Sequence, residues 1–246
     1  MDTNMHTTSG NNSERNHPDT IKTLTHLDRI LLHLSRPAVD RQEYETAEQR
    51  LGVIIGNIKR ILNGNPGYTD ERIVRIFQEV IFGGIRLQPT RNTGHGESFL
   101  GSTLARRIGN CTGLTSIYLA AARPLGVPMF ASFGDTHVRV ILRGSSRDTI
   151  IEPMNKGMVE AAKKNMTGTW RTLTDREFVA VILNNRAAFL YAKKQEWRAC
   201  ARDLRAALHL FPEHPDIPHN LQEIQQFLSE QVRRGEARED DPLQHS

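Results

Sequence analysis

Gly109-Asn110-Cys111-Thr112-Gly113-Leu114-Thr115-Ser116-Ile117-Tyr118-Leu119-Ala120-Ala121-Ala122, closed by Arg123-Pro124-Leu125-Gly126-Val127-Pro128, is the stretch from which the rest of the chain is read. Gly109 and Asn110 make a tight turn, the apolar Ala-rich run that follows has the composition of a buried helix, and the Pro/Gly pair ends it. Cys111 therefore enters the first turn of a helix. Unpaired backbone N–H groups and the macrodipole favour negative charge there, so a thiol in that position ionises more readily than a free one. Cys111 has two readings: a nucleophile, or a small buried hydrophobe, which is the commoner role of cysteine.

Downstream of this helix the period becomes strand-like. Residues 127–133, 136–143 and 149–152 are short and rich in β-branched side chains, with turn signals at Gly134-Asp135 and Gly144-Ser145-Ser146 between them. Connections this short leave no room for crossover helices, so the strands should pair antiparallel. Upstream, apolar residues fall at helical spacing in three runs: Ile21 to Leu34, Ala47 to Leu62, and Ile73 to Ile81. Asp40 with Glu43 reads as a capping box for the second run, and Thr69 as the cap of the third. Residues 85–97 carry Pro89, Gly94 and Gly96 and read as an exposed loop beside a site. A short helix through Leu100 and Leu104 then delivers the chain to Cys111. Helices followed by a small antiparallel sheet predict an α+β fold.

From Phe178 to Gln231 the pattern is helical again, opened by a second capping box at Thr174 and Glu177. Ala188, Tyr191, Cys200, Leu204, Ala207 and Pro212 fall at the offsets of one tetratricopeptide repeat. Cys200 is then the small residue where two helices approach. The expected division is a disordered leader at 1–19, a helical N-terminal part at 20–84, a core at 85–173, repeat-like helices at 174–231 and a disordered tail at 232–246.

Cysteine chemistry needs a base beside the sulfur and a third group that orients the base. His137 opens the middle strand and Glu152 ends the next one. If Arg143 and Asp148 flank the turn, His137 and Glu152 lie near the same end of the strand pair, close enough for a carboxylate to accept the imidazole N–H. Asp135 and Asn155 are rival orienting groups. Ser98 and Ser102, in the segment before Cys111, join the Cys111 backbone N–H as candidate donors to an oxyanion. The structural alternatives are a histidine satisfied within the core and a Glu152 paired with Arg139 or Lys156.

Gly109-Asn110-Cys111 with its helix, Thr136-His137-Val138-Arg139-Val140, and Ile151-Glu152-Pro153-Met154-Asn155-Lys156-Gly157 together resemble the transglutaminase-like core. The order of elements is similar to the SirB1-like family, in which that core precedes a tetratricopeptide-like helical segment. The likeness runs over residues 82–212. It implies a papain/transglutaminase-like core with Cys111 as nucleophile, His137 as base and Glu152 as acid. Aspartate is usual at the third position, so Glu152 departs by one methylene. Many SirB1-like proteins lack the cysteine and are regarded as non-catalytic, so its presence here favours activity.

The chain has 246 residues, 38% of them hydrophobic, and a formal charge of +4 with acidic residues interspersed among the basic ones. No basic block with interleaved aromatics occurs, which argues against a nucleic-acid partner. No run reaches the length of a membrane span, and the first residues lack the apolar centre of a signal peptide. Two cysteines are too few for a disulfide framework, which points to a reducing cytoplasm. His6, His17, His26 and His33 are scattered without companion carboxylates, so neither a metal nor another cofactor is expected. Two functions are consistent with this pattern. One is a thiol enzyme acting on a protein or peptide, with hydrolysis favoured over amine transfer; the other is a non-catalytic scaffold whose repeat-like helices dock a protein partner.

Overall fold

The computed structural model describes residues 26–64, 67–91, 96–134, 137–144, 147–160 and 170–234. The leader expected at 1–19, residues 20–25 at the start of the first expected helical run, Asp135, and residues 235–246 of the expected tail lie outside the described residues. Helix α1 (Leu27–Ser35) buries Leu27, Leu31, Leu32 and Leu34. Helix α2 (Arg41–Asn63) starts at the expected capping box: the Glu43 N–H donates to the Asp40 carboxylate at 2.7 Å, and the Asp40 N–H donates back to Glu43 at 3.2 Å. Its buried stripe of Ala47, Leu51, Ile54 and Ile58 follows the helical period. Thr69 caps α3 (Asp70–Gln78), which widens into a π turn over Glu79–Gly84.

The described residues of the 85–97 segment are not simply an exposed loop. Strand β1 (Gln88–Pro89) pairs parallel with β2 (Ile108–Gly109), which follows α4 (Leu100–Arg106), while Leu87 and Glu97 are buried. The Thr90 N–H donates to Gly109 O at 2.9 Å and the Asn110 N–H to Glu97 O at 3.0 Å. The backbone groups a free loop would leave to water are thus used to fix the turn before Cys111.

Helix α5 (Cys111–Ala122) is the centre of the molecule. Every residue from Thr112 to Ala122 is buried, so only Cys111, at its first position, reaches partial exposure. Its sequence contains Gly113 and β-branched Thr112, Thr115 and Ile117, which are poor helix formers in isolation. Packing decides the outcome: complete burial of Leu114, Ile117 and Leu119 contributes roughly 1.5–3 kcal/mol each. Gly113 lies where a Cβ would collide with Glu97 O and Thr103 Oγ1, so the preceding segment closes directly on the helix backbone.

Among the described residues the sheet has five strands in the order β6-β5-β4-β3-β7, every neighbouring pair antiparallel. These are β3 (Met129–Gly134), β4 (His137–Leu142), β5 (Thr149–Glu152), β6 (Met158–Glu160) and β7 (Arg171–Thr172). The three central strands match the sequence expectation; the two short edge strands were not foreseen. The second capping box opens α6 (Asp175–Arg186), which runs into a π turn at Ala187–Tyr191 and is followed by α7 (Trp197–Leu210) and α8 (Ile217–Arg233).

The chain is therefore mixed α+β, with helices at both ends and a small antiparallel sheet between them. One hydrophobic core extends from Leu27 through α5 and the sheet to Phe178, Leu210 and Ile217. A smaller cluster of Ala187, Tyr191, Cys200, Leu204 and Leu221 joins the last helices. Arg186 locks this end: it donates to both oxygens of Asp203 on α7 at 2.5 and 2.9 Å and to Leu34 O of α1 at 3.1 Å.

Candidate active site

The turn that presents Cys111 is pinned by Asn110, whose groups are all engaged. Its Oδ1 accepts from the Thr112 and Gly113 N–H groups at 3.1 Å, and its carbonyl accepts from Leu114 at 2.9 Å. Its Nδ2 donates to Ser98 Oγ at 2.7 Å. This is an N-cap that satisfies two of the orphan donors of a helix start. The Cys111 amide lies between these groups and is taken by neither the Asn110 side chain nor its carbonyl.

His137 and Glu152 are brought together by strand register. Val140 pairs with Ile151 and Leu142 with Thr149, a register that sets Arg143 opposite Asp148 and Arg139 opposite Glu152. His137 is then two positions beyond Arg139 on the same face, a diagonal neighbour of Glu152 within reach of a long side chain. The His137 Nε2 to Glu152 Oε2 distance is 2.8 Å. Glu152 Oε1 accepts from the Met154 N–H at 2.9 Å, capping the short turn Pro153–Asn155. Both carboxylate oxygens are thus engaged, and the extra methylene of glutamate is accommodated by the diagonal span.

Cys111 faces the His137 side chain and the Val138 backbone closely enough for both to act on its thiol, and its sulfur lies 3.9 Å from Thr112 Oγ1. With Nε2 facing Glu152, Nδ1 is the ring nitrogen that remains for the sulfur. Burial pushes the Cys111 thiol up, but the bond from His137, the Val138 N–H, the imidazolium charge and the Thr112 hydroxyl together bring it below its ordinary value. His137 is raised from 6.5 to about 10, first by its bond to Cys111 and next by Glu152, with burial opposing. The arrangement favours a thiolate beside an imidazolium. Cys200 is the contrast: 1% exposed and donating to Ala187 O at 3.4 Å, its thiol is pushed up to about 11, chiefly by burial.

Trp170, Thr112 and Asn185 complete the surroundings, and no spacing or motif in the sequence pointed to them. The Trp170 ring stands edge-on to His137, with centroids 6.1 Å apart and planes at 89°, and the Arg139 guanidinium lies 3.6 Å over it. It sits directly on Gly134, where a Cβ would meet the indole at 2.7–2.9 Å. Thr112 Oγ1 is 3.9 Å from Cys111 Sγ and accepts from Asn185 Nδ2 of α6 at 3.3 Å.

Cys111, His137 and Glu152 meet, and the other sequence candidates are placed differently. Ser98 is buried and accepts from Asn110; Ser102 is buried and donates to Gly96 O and Phe99 O. Both hydroxyls serve the scaffold around the turn. Asn155 is exposed at the end of its turn, while the His137 Nε2 is engaged by Glu152. Among the described residues no three His, Cys, Asp or Glu side chains gather as metal ligands would, and no helix is long and apolar enough to cross a membrane.

No family model and no curated protein matches the chain. Among solved structures it is similar to menin, from a crystal structure described as revealing the binding site for the Mixed Lineage Leukemia protein, with a TM-score of 0.56 and 13% identity. The match covers 82% of this chain and 52% of the menin chain, so this chain spans about half the length of that neighbour. At this identity the likeness is one of fold alone.

Proposed function

We propose that the chain is a cysteine-dependent acyl-transfer enzyme of transglutaminase-like type, akin to the SirB1-like proteins, acting on an amide of a protein or peptide. The observation that carries this reading is a His137 ring held 2.8 Å from Glu152 by Nε2 and set beside Cys111 at the start of its helix. The Cys111 thiolate attacks the amide carbonyl, forming a C–S bond and a tetrahedral oxyanion, to which the uncapped Cys111 amide donates. The intermediate collapses as His137 delivers its proton to the departing amine, and the C–N bond breaks to leave a thioester. Neutral His137 then takes a proton from water as its oxygen attacks the thioester; the C–S bond breaks, the acyl group leaves as a carboxylic acid, and the Cys111 thiolate beside the His137 imidazolium is restored. Glu152 holds the ring tautomer and stabilises the imidazolium throughout. An amine in place of water gives transfer instead of hydrolysis; hydrolysis is favoured because it needs no second binding site. Both cysteines are free thiols, which suits a reducing, cytoplasmic setting.

The test is incubation of the protein with a glutamine-containing peptide mixture, with and without a primary amine, read by mass spectrometry. Glutamine-to-glutamate conversion or peptide cleavage supports hydrolysis, an amine adduct supports transfer, and either must vanish in Cys111→Ala. Absence of any product, together with failure to trap a thioester, would overturn the proposal. A scaffold that docks a protein partner is the second reading, favoured by the fold shared with menin, whose structure is described by its binding site for another protein. That reading predicts partner capture unchanged by Cys111→Ala.

A further inference from the structure

The helices at the C-terminal end are joined to the nucleophile by a short polar path. Thr112 Oγ1 accepts from Asn185 Nδ2 at 3.3 Å, across 73 residues of sequence, and is 3.9 Å from Cys111 Sγ. A threonine hydroxyl has one proton to give and two lone pairs. With Asn185 donating to the oxygen, the hydroxyl proton is left for another acceptor, and the Cys111 sulfur is within reach. A threonine inside a helix commonly returns its proton to the carbonyl four residues back. Thr112 is the second residue of α5, so that carbonyl belongs to β2 and not to the helix. The threonine itself is immobilised: its N–H donates to Asn110 Oδ1 at 3.1 Å and its carbonyl accepts from Ser116 Oγ at 2.9 Å.

Asn185 stands between two anchored neighbours on α6. Its neighbour Asn184 accepts from Asn220 Nδ2 of α8 at 2.9 Å, and Arg186 is bound to Asp203 of α7 and to Leu34 O of α1. Three consecutive residues at the end of α6 thus reach α8, the Cys111 turn and α7 in succession. We infer that Asn185 is a positioning residue for the nucleophile: by donating to Thr112 Oγ1 it turns the threonine proton onto the Cys111 sulfur, so the C-terminal helices help hold the thiolate. This deepens the proposed thiol chemistry and rests on it. His137, itself paired with Glu152, also faces the Cys111 thiol and acts on it separately from this path.

The test is the pH dependence of Cys111 alkylation by iodoacetamide in the full-length protein, with thermal unfolding measured in parallel. Thr112→Val should move the Cys111 midpoint up by about half a unit to one unit, the size of one modest hydrogen bond. Thr112→Ser should restore it. Asn185→Ala should shift the midpoint in the same direction, and the double variant with Thr112→Val should shift no further than Thr112→Val alone. A purely structural role would lower the unfolding temperature and leave the midpoint in place. If Asn185 instead draws the hydroxyl proton to itself, Asn185→Ala lowers the midpoint. Either result overturns the inference while leaving the thiol proposal intact; an ordinary-thiol midpoint in the wild type would overturn both.

Discussion

Replacement of Glu152 by glutamine removes a charge while nearly preserving shape, and its consequence can be worked from the structure. Glu152 presents one oxygen to His137 Nε2 at 2.8 Å and the other to the Met154 N–H at 2.9 Å. Glutamine has one oxygen and one NH2 group, so it can accept from only one of these two donors. His137 stands at about 10 against an ordinary 6.5, with the sulfur the larger cause and Glu152 the next. An opposite charge this close moves a titration by about 1–3 units, and the ring is 34% exposed, so water screens part of the effect. Glu152→Gln should therefore lower the His137 titration by about 1–2 units, or ~1.4–2.7 kcal/mol of preference for the imidazolium. Histidine-labelled NMR, titrated from neutral to strongly alkaline pH, reads this directly. Because the folded value is raised, the pair's contribution to stability is full below pH 6.5 and is lost as pH climbs through about 10. The variant should thus be less stable than the wild type at neutral pH and converge with it in strong alkali. An unchanged His137 titration in Glu152→Gln would refute the account of how these two groups meet.

Further consequences concern the scaffold. Asn110→Ala removes the cap from the Thr112 and Gly113 amides and should lower stability by about 1 kcal/mol in denaturant titration, raising the Cys111 midpoint as the first turn loosens. Asp203→Ala leaves the buried Arg186 guanidinium without its carboxylate and should cost about 3–5 kcal/mol by the same measurement. A loss below about 1 kcal/mol would show the pair to be dispensable.

The sequence made much of the fold legible because its signals were local. Both capping boxes are realised, Thr69 caps α3, and the turn between Arg143 and Asp148 places the strands in the register that unites His137 with Glu152. Cys111 was legible for the same reason, since a helix start is written in adjacent residues. The edge strands β6 and β7 were not, because two or three residues carry no period and their pairing is chosen by what lies beside them. Met158 and Val159, adjacent residues of β6 on opposite faces, are both exposed, so no apolar alternation announces them. The π turns at Glu79–Gly84 and Ala187–Tyr191 likewise continue a helical pattern without a break in sequence. Ser98 is an ordinary serine until the chain folds, and only tertiary contact shows that it accepts from Asn110 at the Cys111 turn. Trp170 and Asn185 reach the site from distant segments, a juxtaposition no spacing encodes.

The central claim is that Cys111 is an activated thiol because His137, itself paired with Glu152, stands beside it. Alkylation of Cys111 and Cys200, followed by mass spectrometry as a function of pH in the wild type and in His137→Ala, tests this most directly. The account predicts that Cys111 reacts with a midpoint below the ordinary thiol value of about 8.5, that His137→Ala moves this midpoint up, and that Cys200 stays slow in the folded protein. Equal and slow labelling of both cysteines, or a Cys111 midpoint indifferent to His137, would contradict it.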